Sequence, residues 1–121
     1  MTVISPLSYF ELPKVLKLSD IGVDPKEATT RQASGKTLQY MGAGLPVACF
    51  DTENNREYLG EGGTYAREIT SSGLAEAIGE LVGSPELRAK RGSVCRERAE
   101  EFSWEKNALH AEALYNHLLE V

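Results

Sequence analysis

The spacing of hydrophobic positions changes from segment to segment and predicts a chain of alternating strands and helices. Short apolar stretches predict strands over residues 3–7, 21–24, 45–50 and 64–69. The first stretch contains Pro6, which predicts a weak or edge strand because proline cannot donate to a sheet ladder. Residues 45–50 are apolar throughout and predict a strand buried on both faces.

Apolar residues at helical spacing lie between these stretches. Leu12, Val15 and Leu16 share one helical face, and Leu38 and Met41 share another before the glycines that end the helix. A single helical turn is predicted over residues 56–59. Strands that alternate with helices are typical of an α/β layer with a parallel sheet.

Three consecutive helices are predicted after residue 70. An amphipathic helix covers residues 74–82, Ser84 caps a second helix that runs toward Phe102, and Ser103 caps a third. Residues of the third helix line one face, with the tryptophan expected as a core anchor: Trp104, Ala108, Ala111, Tyr115 and Leu118. We therefore predict one domain over residues 1–121, made of an α/β layer (1–70) and a helical tail (71–121).

Composition and charge narrow the classes of protein. A compact chain of 121 residues buries about two thirds of its unfolded surface, which is enough for a core. Thirteen basic and eighteen acidic residues give a net charge of −5. The richest basic stretch, residues 88–98, is interrupted by glutamates. This pattern favours a solvated helix face over a groove that binds nucleic acid. No apolar run is long enough to cross a bilayer, and no secretory signal opens the sequence. We therefore expect a cytoplasmic protein. In that compartment Cys49 and Cys95 are expected to be reduced.

The most informative polar segment opens the helix before residue 42. Ser34, Gly35, Lys36 and Thr37 place small residues and a cation where the first helical N–H groups have no partner within the helix. Such a terminus attracts phosphate, and Lys36 adds positive charge. The alternative is purely structural, with Ser34 as an N-cap and Lys36 as a surface cation.

Three other kinds of site fit the sequence poorly. Gly35-Lys36-Thr37 matches the end of a P-loop, but Thr30 replaces the first glycine and the motif does not directly follow its strand. A phosphoacceptor receiver domain needs an acidic pair after the first strand, and none is present there. His110 and His117 are seven residues apart without a carboxylate or thiol to complete a metal site, so we expect no metal.

Three motifs resemble one family. They are Asp20-Ile-Gly-Val-Asp-Pro25, then Ser34-Gly-Lys-Thr-Leu-Gln-Tyr-Met-Gly-Ala-Gly-Leu-Pro-Val47, then Phe102-Ser-Trp-Glu105. In order and spacing the chain resembles the C-terminal, donor-binding part of family-4 (group 1) glycosyltransferases, which have two Rossmann-like domains facing a cleft (the GT-B fold). The resemblance implies a partial Rossmann-like sheet of about four parallel strands and a half-site for a nucleotide diphosphate sugar, without a metal or other cofactor.

The resemblance also assigns residues to the donor. Ser34, Gly35, Lys36 and Thr37 would give backbone and side-chain donors to the diphosphate. In the family an acidic residue holds the ribose, and Gln39 occupies that position here. Gln39 can form a hydrogen bond to a hydroxyl but carries no charge. The other acid of the family's pair falls at Arg31, and Glu27 in the same loop is the candidate substitute. No catalytic residue is identified.

The resemblance further implies an incomplete enzyme. The family's first two strands of this domain and its N-terminal acceptor domain would precede Met1. Loss of those strands leaves residues 3–7 without a neighbour and an open edge at residues 21–24, so we expect a homodimer through that edge or aggregation. The parent enzyme would transfer a glycosyl group to a polysaccharide or glycolipid in the cytoplasm, peripherally at the membrane, and the chain alone would be inactive. The alternatives are a non-catalytic nucleotide-sugar-binding module and an α/β interaction domain that binds no ligand.

Overall fold

The computed structural model describes residues 1–28 and 35–120 and has an α/β architecture. Three strands alternate with helices, and three consecutive helices follow. In chain order the elements are α1 (Leu12–Leu16), β1 (Gly22–Asp24), α2 (Gly35–Gly42), β2 (Val47–Phe50), α3 (Glu53–Leu59), a 3-10 turn (Gly60–Gly62), β3 (Gly63–Ala66), α4 (Ser71–Val82), α5 (Pro85–Ala99), a second 3-10 turn (Glu100–Phe102) and α6 (Trp104–Glu120). No helix among these residues is both long and apolar enough to cross a bilayer.

Within residues 1–28 and 35–120 the sheet has three parallel strands in the order β1-β2-β3, and the four predicted strands are not found there. Gly22 pairs with Val47, and Val47 pairs with Gly63 on its other side. Residues 3–7 do not form the expected first strand, and Val3 and Ile4 are exposed. The segment contains Pro6 and lies beside no other strand, so its backbone has no ladder to join. Both β1 and β3 are edge strands.

The central strand is buried on both faces, as predicted. Along β2, side chains point alternately to two apolar clusters. One cluster packs β2 against α2, α3 and α5: Met41, Val47, Cys49, Leu59 and Cys95. The other packs β2 and β3 against α4: Ala48, Phe50, Ala66, Ala77 and Leu81. Helices therefore cover both faces of the sheet.

A close approach of backbones fixes α5 against the loop before β2. The loop turns at Gly44, which has a φ of 74° that favours glycine. A Cβ atom at Gly92 of α5 would lie 2.3 Å from the carbonyl oxygen of Gly44. Only a residue without a side chain permits this contact, so α5 reaches the sheet closely enough to bury Cys95.

The basic stretch of α5 does more than form the solvated face expected from its charge pattern. Arg88 donates to the carbonyl oxygens of Leu81 and Val82 at the end of α4. Arg98 donates to the carbonyl oxygens of two residues near the end of α3, and Arg91 to two around the first 3-10 turn. Terminal helix carbonyls have no partner within the helix and attract cations. These arginines therefore connect α5 to the ends of its neighbours.

The last helix differs from the prediction in its packing. Ser84 and Ser103 cap α5 and α6 as expected, each accepting from the amide three residues on. However, α6 contains no buried residue, and Trp104 is 88% exposed instead of anchoring the core. No residue of α6 belongs to either apolar cluster of the described residues.

Candidate functional site

The candidate site lies where the parallel strands end and α2 begins. Ligands in open parallel sheets bind beyond the carboxyl ends of the strands. Gly35 and Lys36 are exposed at the start of α2, and a Cβ atom added to Gly35 would meet no atom within 4 Å. The surface of these two residues is therefore accessible from solvent. Ser34 and Arg31 lie outside the described residues.

A buried carboxylate holds the first turn of α2 against the end of β1. Asp24 and Thr37 are both fully buried, and the Thr37 hydroxyl donates to Asp24 Oδ2 at 2.6 Å. The backbone N–H of Lys26 donates to Asp24 Oδ1 at 3.1 Å. The Thr37 side chain thus faces the protein interior, and a contact from its hydroxyl to a ligand would compete with the bond to Asp24.

Tyr40 fixes the orientation of the same helix. Its ring lies over Gly22, where an added Cβ atom would come within 2.6 Å of the ring. Its hydroxyl lies 3.4 Å from the carbonyl oxygen of Val23 and donates to it. Burial, and then the nearby charge of Asp24, raise the pKa of Tyr40, so the hydroxyl stays a donor at neutral pH. Asp24 and Tyr40 together hold α2 in a fixed position relative to β1.

The two residues expected to contact ribose or sugar line different grooves. Glu27 borders an open groove of about 500 Å³ at the carboxyl ends of the strands, beside Phe50 and Thr70. Gln39 borders a separate, largely apolar groove of about 360 Å³ between α1 and α2, beside Phe10 and Ala43. The structure therefore places Glu27 at the carboxyl edge of the sheet and turns Gln39 toward α1.

The turn after β2 is held by a charged cluster. Both oxygens of Asp51 accept from Arg56 at 2.7 Å, and the guanidinium lies 3.7 Å from the centre of the Tyr65 ring. The hydrogen bond from Arg56 lowers the pKa of Asp51. The Tyr65 hydroxyl donates to the carbonyl oxygen of Gly60, and burial raises the pKa of Tyr65 to about 12. This cluster fixes the turn after β2, while the side chains of Arg56 and Asp51 stay about half exposed.

A second cationic surface was missed in the sequence because its residues are far apart along the chain. Arg56, Arg67 and Arg91 line a shallow groove at the outer edge of β3. Arg56 is paired with Asp51, and Arg91 donates to the carbonyl oxygens of Glu61 and Gly63. Two of the three cations thus already contact acceptor groups of the protein itself.

The two cysteines are poorly suited to act as nucleophiles. Cys49 and Cys95 are free, and neither is exposed. Burial raises the pKa of Cys49 to about 12 and that of Cys95 to about 11, so both thiols stay protonated and unreactive. Within the described part of the chain, histidines, cysteines and acids form no group able to hold a metal ion.

No model of a known protein family, no curated protein and no solved structure matches the chain.

Proposed function

We propose that the chain is the donor-binding part of a family-4 glycosyltransferase, with a Rossmann-like sheet reduced to three strands. The observation that carries this proposal is the open start of α2, with Gly35 and Lys36 exposed beyond the carboxyl edge of the sheet. The motifs around residues 20–25, 34–47 and 102–105 resemble the family in order and spacing. A nucleotide diphosphate sugar is the ligand that fits both.

The proposed role of α2 is to stabilise the diphosphate. The N–H groups of Gly35 and Lys36 and the helix dipole face the anion, and the Lys36 ammonium offsets its charge. As the glycosidic bond to the diphosphate breaks, negative charge grows on the leaving oxygen, and these fixed donors stabilise it. Asp24 and Tyr40 contribute by holding the helix in place before the ligand arrives.

The groove lined by Glu27 would contact the ribose and sugar of the donor. Its carboxylate stands at the same edge of the sheet and can accept from ribose or sugar hydroxyls. Gln39 would reach a hydroxyl only from the α1 side. Glu27 is therefore the stronger candidate of the two.

The proposed enzyme needs a second polypeptide unit for turnover. An N-terminal acceptor domain would close the cleft, and β1 leaves an open sheet edge on which strands of this unit or of a second copy would pair. The parent activity is transfer of a glycosyl group to a polysaccharide or glycolipid, in the cytoplasm and peripherally at the membrane. On this proposal the chain alone binds the donor but does not turn it over.

Calorimetric titration with nucleoside diphosphates and their sugar conjugates tests the proposal. We expect binding by the unaltered chain and a loss of about tenfold, or about 1.4 kcal/mol, in Lys36→Ala. Lys90→Ala is the control, because Lys90 is an exposed cation of α5, and α5 approaches Gly44, after the end of α2, rather than the start of that helix. Equal losses in both variants, or no binding by the unaltered chain, would contradict donor binding and favour an α/β interaction domain.

A further inference from the structure

Lys26 lies just beyond the end of β1, next to the buried carboxylate that holds α2. Its backbone N–H donates to Asp24 Oδ1 at 3.1 Å. The other oxygen of that carboxylate, Oδ2, accepts from the Thr37 hydroxyl in the first turn of α2 at 2.6 Å. One carboxylate thus connects the backbone of Lys26 to the start of the helix. A lysine carries its charge on a flexible four-carbon stem, which is long enough to extend over the first turn of α2 from this position.

The side chain of Lys26 belongs to the α2 side of the sheet. Asp24 faces that side, since it bonds to Thr37. Pro25 and Glu27 line the groove on the opposite side, beside α4. This stretch after β1 belongs to no helix or turn, and the side chains of an extended chain alternate between two sides. Lys26 therefore lies on the same side as Asp24 and away from the groove that Glu27 lines.

Charge balance at the start of α2 favours a second cation. Lys36 supplies one positive charge there, whereas a diphosphate carries a negative charge on each phosphate. The buried charge of Asp24 lies against the same turn and opposes an anion. Lys26 takes part in none of the ion pairs among the described residues, and its side chain is partly buried. Its ammonium is therefore available to offset the charge of Asp24 and to bind an anion.

We infer that the Lys26 ammonium is a second binding group of the proposed diphosphate site and acts together with Lys36. This inference rests on the proposed function, because it assigns a further residue to the same site. Lys36 belongs to the helix and Lys26 to the end of the strand, so the two cations approach the ligand from different elements. Each neutralises one phosphate, and the pair favours a diphosphate over a single phosphate.

Calorimetric titration of Lys26→Ala with inorganic pyrophosphate and with inorganic phosphate tests the inference. We expect the affinity for pyrophosphate to fall about tenfold and the affinity for phosphate to change less than about twofold, so the preference for two phosphates is lost. Lys26→Arg keeps the charge and should bind pyrophosphate within about threefold of the unaltered chain. The contact to Asp24 comes from the backbone and survives both changes, so the thermal unfolding temperature should stay the same.

Lys17→Ala is the matched control. Lys17 is an exposed cation whose groove lies beside Gly42, at the far end of α2, so its removal should leave pyrophosphate binding unchanged. Binding that Lys36→Ala weakens and Lys26→Ala does not would overturn this inference and leave the proposed function standing. Equal losses in Lys26→Arg and Lys26→Ala would also overturn it, because the charge would then not be the binding group. No pyrophosphate binding by the unaltered chain would overturn both.

Discussion

Helices α4 and α6 have similar sequence patterns, but α4 is packed in the core and α6 is exposed. Both are amphipathic, and both follow a side-chain cap. α4 buries Ala77 and Leu81 against β2 and β3, whereas α6 buries no residue at all. The periodicity of a helix determines which face is apolar, but burial depends on whether the chain supplies a surface opposite that face. Within the described residues, the chain supplies such surfaces for the central layer, whereas the C-terminal helix buries none of its residues.

The largest effect expected from this comparison is on the core of α4. Leu81→Ala removes a fully buried side chain and should lower the free energy of unfolding by about 2–5 kcal/mol. The same change at Leu109, on the outer side of α6, should cost less than about 0.5 kcal/mol. Urea unfolding followed by circular dichroism measures both. Similar losses would mean that α6 is packed as tightly as α4.

Two helical glycines give the next contrast. Gly92→Ala would drive its Cβ into the carbonyl oxygen of Gly44, so we expect a loss of about 1–3 kcal/mol. A Cβ at Gly79 of α4 meets no atom within 4 Å, and Gly79→Ala should stabilise the protein by about 0.4–1 kcal/mol. Thermal unfolding of both variants measures these changes. A stabilised Gly92→Ala variant would contradict the close approach of α5 to the loop at Gly44.

Two buried threonines differ in whether the side-chain hydroxyl forms a hydrogen bond. Thr37→Val removes the donor to Asp24 and should cost about 1–3 kcal/mol, because a buried carboxylate loses a partner. Thr64 is 3% exposed and its hydroxyl has no hydrogen-bond partner, so Thr64→Val should be neutral or stabilising. Denaturant midpoints of the two variants should therefore move in different directions or by clearly different amounts.

The smallest effect at neutral pH comes from the buried thiols and Tyr65. Their pKa values are raised in the folded state, so the unfolded chain loses these protons first as the solution becomes alkaline. Their contribution to stability is complete below about pH 9 and is lost as the pH rises toward 12. Cys49→Ala should reduce the slope of stability against pH in this range. An unchanged slope would contradict burial of that thiol.

Most of the central layer followed from its sequence. The apolar run before residue 50 predicted the buried strand β2, and the serine caps predicted the starts of α5 and α6. The strand expected over residues 3–7 was wrong, because a short apolar run forms a strand only beside another strand. The exposure of Trp104 was missed for a similar reason, since periodicity carries no information about the partner surface.

The candidate site was predictable only in part. The small residues and cation at Gly35 and Lys36 marked the open helix start, because that signal is local. The bond between Asp24 and Thr37 joins residues thirteen positions apart, and its existence depends on how α2 folds back on β1. Glu27 and Gln39 were expected to act on one ligand, but the rotation of α2 turns Gln39 toward α1.

The central claim is that the amides opening α2 bind a pyrophosphate group. Titration of the ¹⁵N-labelled chain with inorganic pyrophosphate, followed by amide chemical shifts, tests it most directly. We expect saturable shifts centred on Gly35 and Lys36, and their loss in Lys36→Ala. Shifts centred instead on the groove lined by Arg56, Arg67 and Arg91, or no saturable shift, would contradict the claim.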